Sequence, residues 1–141
     1  MRAKEYLMQA YRLDQRINAK LDQVSSLNDL ATKATTTITG MPKSPSQASS
    51  RLEATVAKIV DLQEAINRDI DDLVDLKHGI VSLIRGIGNT EYQTVLEKRY
   101  LCFMAWEQIA VDMNYSMPHL YKIHSQALDA ADAVMARQNV S

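Results

Sequence analysis

The sequence predicts an all-α protein, and three features indicate this class. Aromatic residues make up only 6% of the 141 residues, whereas β-sheets are rich in aromatic and β-branched residues. There are only four glycines and three prolines, and long stretches without either residue favour uninterrupted helices. Apolar residues also recur at three- and four-residue steps, which is the spacing of one face of a helix.

The first predicted helix spans residues 3–38. Its apolar residues alternate between three- and four-residue steps, with Lys20 as the interruption, and this spacing aligns side chains along one seam of a coiled coil. Gly40 and Pro42 predict the end of the helix, because glycine commonly terminates helices and proline cannot continue them. We expect a polar loop from Thr39 to Ser49.

The second predicted helix spans residues 50–86. Ser50 and Glu53 have the spacing of a capping box, in which each side chain bonds to the other residue's backbone N–H. Its apolar stripe, interrupted by Gln63 and Lys77, is wider than a two-stranded seam requires, which indicates more than one neighbouring helix. The residues predicted to form an oligomer interface are Leu52, Ile59, Ile66, Ile70, Leu73, Ile80 and Ile84.

Matched lengths and opposite charges predict that the two helices pair. Residues 1–48 carry a net charge of +3 and residues 49–87 a net charge of −2. We therefore expect a long antiparallel helical hairpin, coiled-coil-like, over residues 1–88. Because one thin hairpin leaves apolar surface exposed, it would serve as an oligomerisation arm of a homo-oligomer. The alternative is a monomeric bundle that the C-terminal helices close.

Residues 89–141 have the pattern of a helix-turn-helix domain. Thr90 is positioned to cap its first helix. Ala110 provides the small side chain needed where two helices cross closely. Asn114 tolerates the left-handed backbone conformation of the turn, and Ser116 can cap the helix that follows.

This segment resembles sigma factor region 4, although sigma factor region 2 has no counterpart in the chain. The resembling positions are Val95, Leu96, Glu97, Lys98, Arg99, Tyr100, Trp106, Glu107, Gln108, Ile109, Ala110, Tyr115, Ser116, Leu120, Ile123, Ala127 and Leu128. Nearly the whole chain is similar to a small phage- or prophage-encoded domain-of-unknown-function family of Gram-positive bacteria, with ArpU- and RinA-type late-gene transcriptional activators among its relatives. The resemblance implies a transcription regulator that binds double-stranded DNA, with RNA polymerase as a further possible partner.

The predicted recognition helix has an exposed polar face. Glutamine can bond adenine, methionine can meet a thymine methyl, and lysine and serine can contact phosphates or base edges. The candidate DNA-binding residues are Ser116, Met117, His119, Tyr121, Lys122, Ser125 and Gln126. Residues 88–141 carry only four basic groups against six acidic ones, which weakens attraction to phosphate. The alternative function is therefore a non-enzymatic adaptor whose faces bind protein, such as RNA polymerase or another phage protein.

The sequence does not favour an enzyme, a cofactor or a metal site. It has no Gly-rich phosphate loop and no HExxH motif. His119 and His124 are five residues apart, which does not place them on one helical face, and Cys102, the one cysteine, is more typical of an apolar core position. No run of about 18 apolar residues could span a membrane. We expect a cytoplasmic protein.

Overall fold

The computed structural model describes residues 1–40 and 45–139, with side chains at 1–34 and 49–138. Every regular element in these ranges is a helix, which confirms the all-α class. Within them, no helix is both long and apolar enough to cross a membrane. The helices are α1 (Ala3–Gly40), α2 (Pro45–Arg85), α3 (Thr90–Tyr100), α4 (Trp106–Met113) and α5 (Met117–Asn139).

Both long helices extend further into the predicted loop than expected. Residues 41–44 lie outside the described residues, but α1 continues to Gly40 and α2 begins at Pro45. Proline is accepted at the first position of a helix because its missing N–H would have no helical partner there. The predicted capping box is wrong, since Ser50 lies inside α2 instead of at its start.

The chain divides into two compact units. One comprises Asp14–Asp72, which contains parts of α1 and α2. Its buried residues include Ile17 and Ile59. Lys20, which interrupts the apolar row of α1, forms a salt bridge with Asp69 of α2. A polar group in the apolar row therefore contacts the neighbouring helix.

The other unit comprises Met1–Leu13 and Leu73–Ser141. The division between the two units therefore does not fall at the predicted boundary after residue 88. The first 13 residues of the predicted hairpin and its residues 73–88 belong to the same unit as α3, α4 and α5. The core beneath α3, α4 and α5 is a cluster of buried apolar side chains: Val95, Ile109, Ala110, Leu120 and Ile123.

The beginning of α1 is held by α5 in this unit. The backbone N–H of Ala3 donates to Oδ1 of Asp132 at 2.7 Å. The first N–H groups of any helix lack partners within the helix, so a carboxylate distant in sequence supplies one here. The hydroxyl of Tyr6 lies against Gly79 of α2, in the space that the Cβ atom of any other residue at position 79 would need.

The cap of α3 is Asn89, one residue before the predicted Thr90. Its side-chain oxygen accepts hydrogen bonds from the backbone N–H groups of Glu91 at 2.9 Å and Tyr92 at 3.1 Å. Asparagine is among the strongest helix caps, and Thr90 becomes the first helical residue.

Most of the residues predicted to form an oligomer interface are buried within the chain. Only Ile70, 42% exposed, presents a large exposed surface, and Leu52 is partly buried. α2 carries more than one apolar stripe, and the stripe that packs inside the chain contains most of the predicted residues. Those that the chain itself buries are Ile59, Ile66, Leu73, Ile80 and Ile84.

Ala110→Leu should lower the free energy of unfolding by about 1–3 kcal/mol, because the longer side chain must enter a filled core. Ala110 is only 7% exposed and lies in the cluster with Leu120. Gln108→Leu is the matched control, since Gln108 is exposed on the same helix. Denaturant titration would measure both variants, and equal stability would contradict a close crossing at Ala110.

Candidate nucleic-acid interface

A left-handed residue joins α4 to α5. Asn114 has φ 58° and ψ 45°, and its backbone N–H bonds to the carbonyls of Ala110 and Val111. The N–H of Tyr115 also donates to the Ala110 carbonyl, at 2.9 Å. The predicted left-handed conformation of Asn114 is therefore confirmed, and the turn satisfies carbonyl groups at the end of α4.

The start of α5 is capped by the residue just before it. Ser116 Oγ accepts a hydrogen bond from the backbone N–H of His119 at 3.3 Å. Pro118 lies in the first turn of α5, where its missing N–H leaves no helical bond unmade. The predicted cap at Ser116 is confirmed, and the O–H of its hydroxyl remains able to donate.

The outward face of α5 carries two of the exposed predicted contact residues. Lys122 and Ser125 are exposed and lie three residues apart, so they are neighbours on one helical face. Leu120 and Ile123 point to the opposite side, into the core. Lys122 and Ser125 are therefore free to meet a ligand that approaches α5 from outside.

Two further predicted residues lie on the flank of α5 that faces α3. Gln126 Oε1 accepts a hydrogen bond from the hydroxyl of Tyr92 at 3.1 Å. The ring of His119 meets that of Tyr115 edge-on, with centroids 4.6 Å apart. The Tyr115 hydroxyl donates to the Glu91 carboxylate, and this bond raises the pKa of Tyr115 to about 12.

The remaining two predicted residues lie closer to the core and to α4. Met117 is partly buried against the core cluster. Tyr121 is 49% exposed, and its ring centroid is 5.7 Å from that of Trp106. The seven predicted residues therefore occupy three sides of α5, and Lys122 and Ser125 lie on the outward one.

Charged side chains from the start of α1 reach this side of α5. Arg2, Lys4 and Glu5 line a shallow cleft together with Ser125, Asp129 and Asp132 of α5. The sequence pattern did not associate these basic residues with α5, because they lie more than 100 positions away along the chain. Contact between α1 and α5 brings them there.

A second group of side chains, which the sequence analysis did not identify, surrounds Arg99 of α3. Its guanidinium lies 4.5 Å from the ring centre of Trp106 and 4.9 Å from that of Tyr11, and it donates to the carbonyl of Met104 at 2.8 Å. Cationic groups are attracted to aromatic faces at such distances. The available signal was the concentration of aromatic residues just after Arg99, at Tyr100, Phe103 and Trp106.

Lys77 and Cys102 lie near this group. The Lys77 ammonium is 4.7 Å from the centre of the Phe103 ring, so this interruption of the α2 seam makes a cation–π contact. Phe103 has φ 56°, a left-handed conformation uncommon for a bulky residue. Cys102 is exposed, so the prediction that it fills the core is wrong.

His124 is held against Tyr100 and Trp106. Its Nε2 lies 2.8 Å from the Tyr100 hydroxyl, and its ring centroid is 4.6 Å from that of Trp106. Burial, followed by the positive charges of Lys4 and Arg99, lowers the pKa of His124 to about 4. Burial raises the pKa of Tyr100 to about 12. The neutral imidazole can therefore accept the phenol's hydrogen bond at physiological pH.

The described residues contain no group of three or more His, Cys, Asp or Glu side chains that could hold a metal ion. His119 and His124 are separated in the structure as their spacing predicted, since His119 faces Tyr115 and His124 faces Tyr100. The functional groups gathered around α5 are cations, carboxylates, hydroxyls, amides and aromatic rings.

Comparison with known proteins gives one match. No curated protein and no solved structure shows significant similarity to the chain. A family model described as "Protein of unknown function (DUF1492)" matches residues 49–132, which include most of α2, all of α3 and α4 and the greater part of α5. The matched segment is more than half of the chain, and the protein belongs to the DUF1492 family.

Proposed function

We propose that this protein is a phage-derived transcription regulator that binds double-stranded DNA through a sigma region 4-like helix-turn-helix formed by α4 and α5. Residues 1–88 act as an antiparallel hairpin that joins copies of the chain. The observation that carries the proposal is the connection between the two short helices. A left-handed Asn114, a small buried Ala110 and the Ser116 cap are the features that such a motif requires.

In this proposal α5 enters the major groove with its outward face. Lys122 and Ser125 meet phosphates or base edges. The amide nitrogen of Gln126 remains able to donate, although its oxygen already accepts from Tyr92. Because recognition helices in such motifs contact bases with their N-terminal residues, the first three turns of α5 are the part that determines sequence preference.

Charge supports a weak phosphate attraction for each copy. Arg2 and Lys4 add to Lys122 on this side of α5. Three carboxylates, those of Glu5, Asp129 and Asp132, lie in the same cleft as Arg2 and Lys4 and oppose their charge. A module with few phosphate contacts has a shallow salt dependence. Binding then depends on two modules that engage one DNA molecule together.

Lys122→Ala should weaken binding to all duplex sequences and reduce the slope of log affinity against log salt by about 1, because one phosphate contact is lost. Gln126→Ala should instead relax preference at one base pair by about 1–3 kcal/mol. Selection from a random duplex pool, followed by gel-shift titration at several salt concentrations, measures both effects.

Lys58→Ala is the charge-matched control, since Lys58 is an exposed lysine of α2 that belongs to the other compact unit, Asp14–Asp72. It should leave affinity and the salt slope unchanged. If the wild-type protein ignores duplex DNA at low salt, the DNA-binding proposal fails.

The second candidate function is a protein-binding adaptor. The observation that favours it is the excess of acidic groups in residues 88–141, six against four basic, together with the half-exposed Tyr121 beside Trp106. Exposed aromatic groups are enriched at protein interfaces. In that case purified RNA polymerase would retain the wild-type protein but not the Tyr121→Ala variant. Added DNA would change neither result.

A further inference from the structure

One face of α2 carries apolar side chains that the chain does not cover. Val56, Val60 and Ile70 are 47%, 45% and 42% exposed, whereas Ile59 and Ile66 on the same helix are buried. Single exposed apolar residues are normal on protein surfaces, but several on one face mark an interaction surface. This face belongs to the unit Asp14–Asp72.

The exposed row has the spacing of a coiled-coil seam. From Val56 the positions follow at steps of four, three, four and three residues, through Val60, Gln63, Asn67 and Ile70. Gln63 and Asn67 are exposed as well. This is the a/d spacing of a heptad repeat, so α2 carries one seam for its own chain and a second seam that is open.

We propose that this open seam binds the same seam of a second copy, with the two α2 helices antiparallel about a two-fold axis beside residue 65. The inference rests on the oligomerisation part of the proposed function and gives it a surface and an orientation. It does not depend on DNA binding.

The order of residues along the seam is self-complementary in the antiparallel arrangement. Val60 and Ile70 lie five residues before and after residue 65, and Gln63 and Asn67 lie two residues before and after it. In a two-fold symmetric interface, each position faces the one equally far beyond the axis. Val60 then faces Ile70 of the partner subunit, and Gln63 faces Asn67 of the partner subunit.

The central amides would fix the register of the pair. Each of Gln63 and Asn67 has one carbonyl acceptor and two N–H donors, so two facing amides can bond reciprocally. A polar pair in an otherwise apolar seam disfavours shifted alignments, because a shift would place an amide against Val60 or Ile70.

The charges beside the seam also favour this arrangement. Arg68, Asp61 and Glu64 are exposed on the same side of α2, and among the described residues no ion pair within the chain occupies them. In the antiparallel pair, Arg68 lies level with the segment between Asp61 and Glu64 of the partner subunit. A parallel pair would place Arg68 level with Arg68 of the partner subunit.

Cysteine cross-linking tests the orientation. In a Cys102→Ser background, Gln63→Cys and Asn67→Cys proteins carrying different tags are mixed and oxidised. The antiparallel seam predicts at least a tenfold excess of mixed cross-links over self-cross-links, because disulfide formation requires Cβ atoms about 4 Å apart. Predominant self-cross-linking would overturn the antiparallel assignment.

Sedimentation without DNA tests the surface. Wild-type protein should have the mass of a dimer at micromolar concentration, and Ile70→Asp should raise the dissociation constant at least tenfold. Val111→Asp is the control, because Val111 is a 74% exposed apolar residue on α4, and it should leave the mass unchanged. Circular dichroism verifies that both variants fold.

A reversal of charge gives a second, milder test. Arg68→Glu should weaken the dimer, and the added substitutions Asp61→Arg and Glu64→Arg should restore it. A wild-type monomer, or a dimer indifferent to Ile70→Asp, would overturn the inference. If the protein does not dimerise but still binds a single DNA half-site, the dimer inference fails while the DNA-binding proposal stands.

Discussion

Leu120→Ala should lower the free energy of unfolding of the C-terminal core by about 2–5 kcal/mol. Leu120 is fully buried and lies in the cluster with Val95 and Ile123. Truncation removes its burial and leaves a cavity that a packed core fills only in part. Denaturation followed by the fluorescence of Trp106, the single tryptophan, reports on this core because Trp106 packs against it.

Leu30→Ala is the matched control for that experiment. Leu30 is 53% exposed on α1, so the same substitution there removes little buried surface, and alanine favours the helix. Its effect should stay within about 0.5 kcal/mol. A similar loss for both variants would show that Leu120 does not occupy a packed core in solution.

Acidification should destabilise the protein through His124. Its pKa is lowered from 6.5 to about 4 in the folded chain, chiefly by burial and then by the charges of Lys4 and Arg99. Between these two pH values the unfolded chain binds more protons, so stability falls as the pH drops from 6.5 to 4. Below pH 4 both states are protonated at His124, and this loss is complete.

The expected size of this acid-induced loss is about 2–3 kcal/mol. At about 1.4 kcal/mol per pKa unit, the full shift in the pKa of His124 would give a slightly larger loss of stability. The imidazole keeps partial contact with solvent, which reduces this loss. Protonation also removes the nitrogen that can accept the Tyr100 hydrogen bond. Unfolding by denaturant at pH 7 and pH 4.5 measures the difference.

His124→Gln provides the comparison for the pH experiment. It removes the titrating ring and keeps a hydrogen-bonding group near Tyr100. The variant should be less stable at pH 7 but should lose less stability between pH 7 and pH 4.5 than the wild type. An identical pH dependence in the two proteins would show that His124 does not carry the effect.

Much of the helical pattern around α4 and α5 could be predicted because it depends on neighbouring residues. Asn114, Ser116 and Ala110 were identified from their positions relative to apolar residues a few places away. Caps and left-handed turns involve bonds within four or five residues. The one-residue error at Thr90 arose because Asn89 and Thr90 are both good caps, and only the backbone geometry distinguishes them.

The positions of the functional side chains were less predictable. The spacing of Gln126 placed it on the polar side of α5, but its bond to Tyr92 depends on how α3 packs there. Arg2 and Lys4 come next to Ser125 only because α1 begins beside α5. The contacts of Arg99 with Tyr11 and Trp106 likewise join separate helices.

The sequence by itself determined that the chain forms helices and where the turn before α5 lies, because helical periodicity and turn chemistry are local. It also established that α2 carries more apolar residues than one partner can cover. Tertiary structure alone decided which of these become buried: Ile59 and Ile66 pack within the chain, while Val60 and Ile70 remain exposed. The physical reason is that all four have similar hydrophobicity, so the direction from which a neighbouring helix approaches determines which side of α2 loses contact with water.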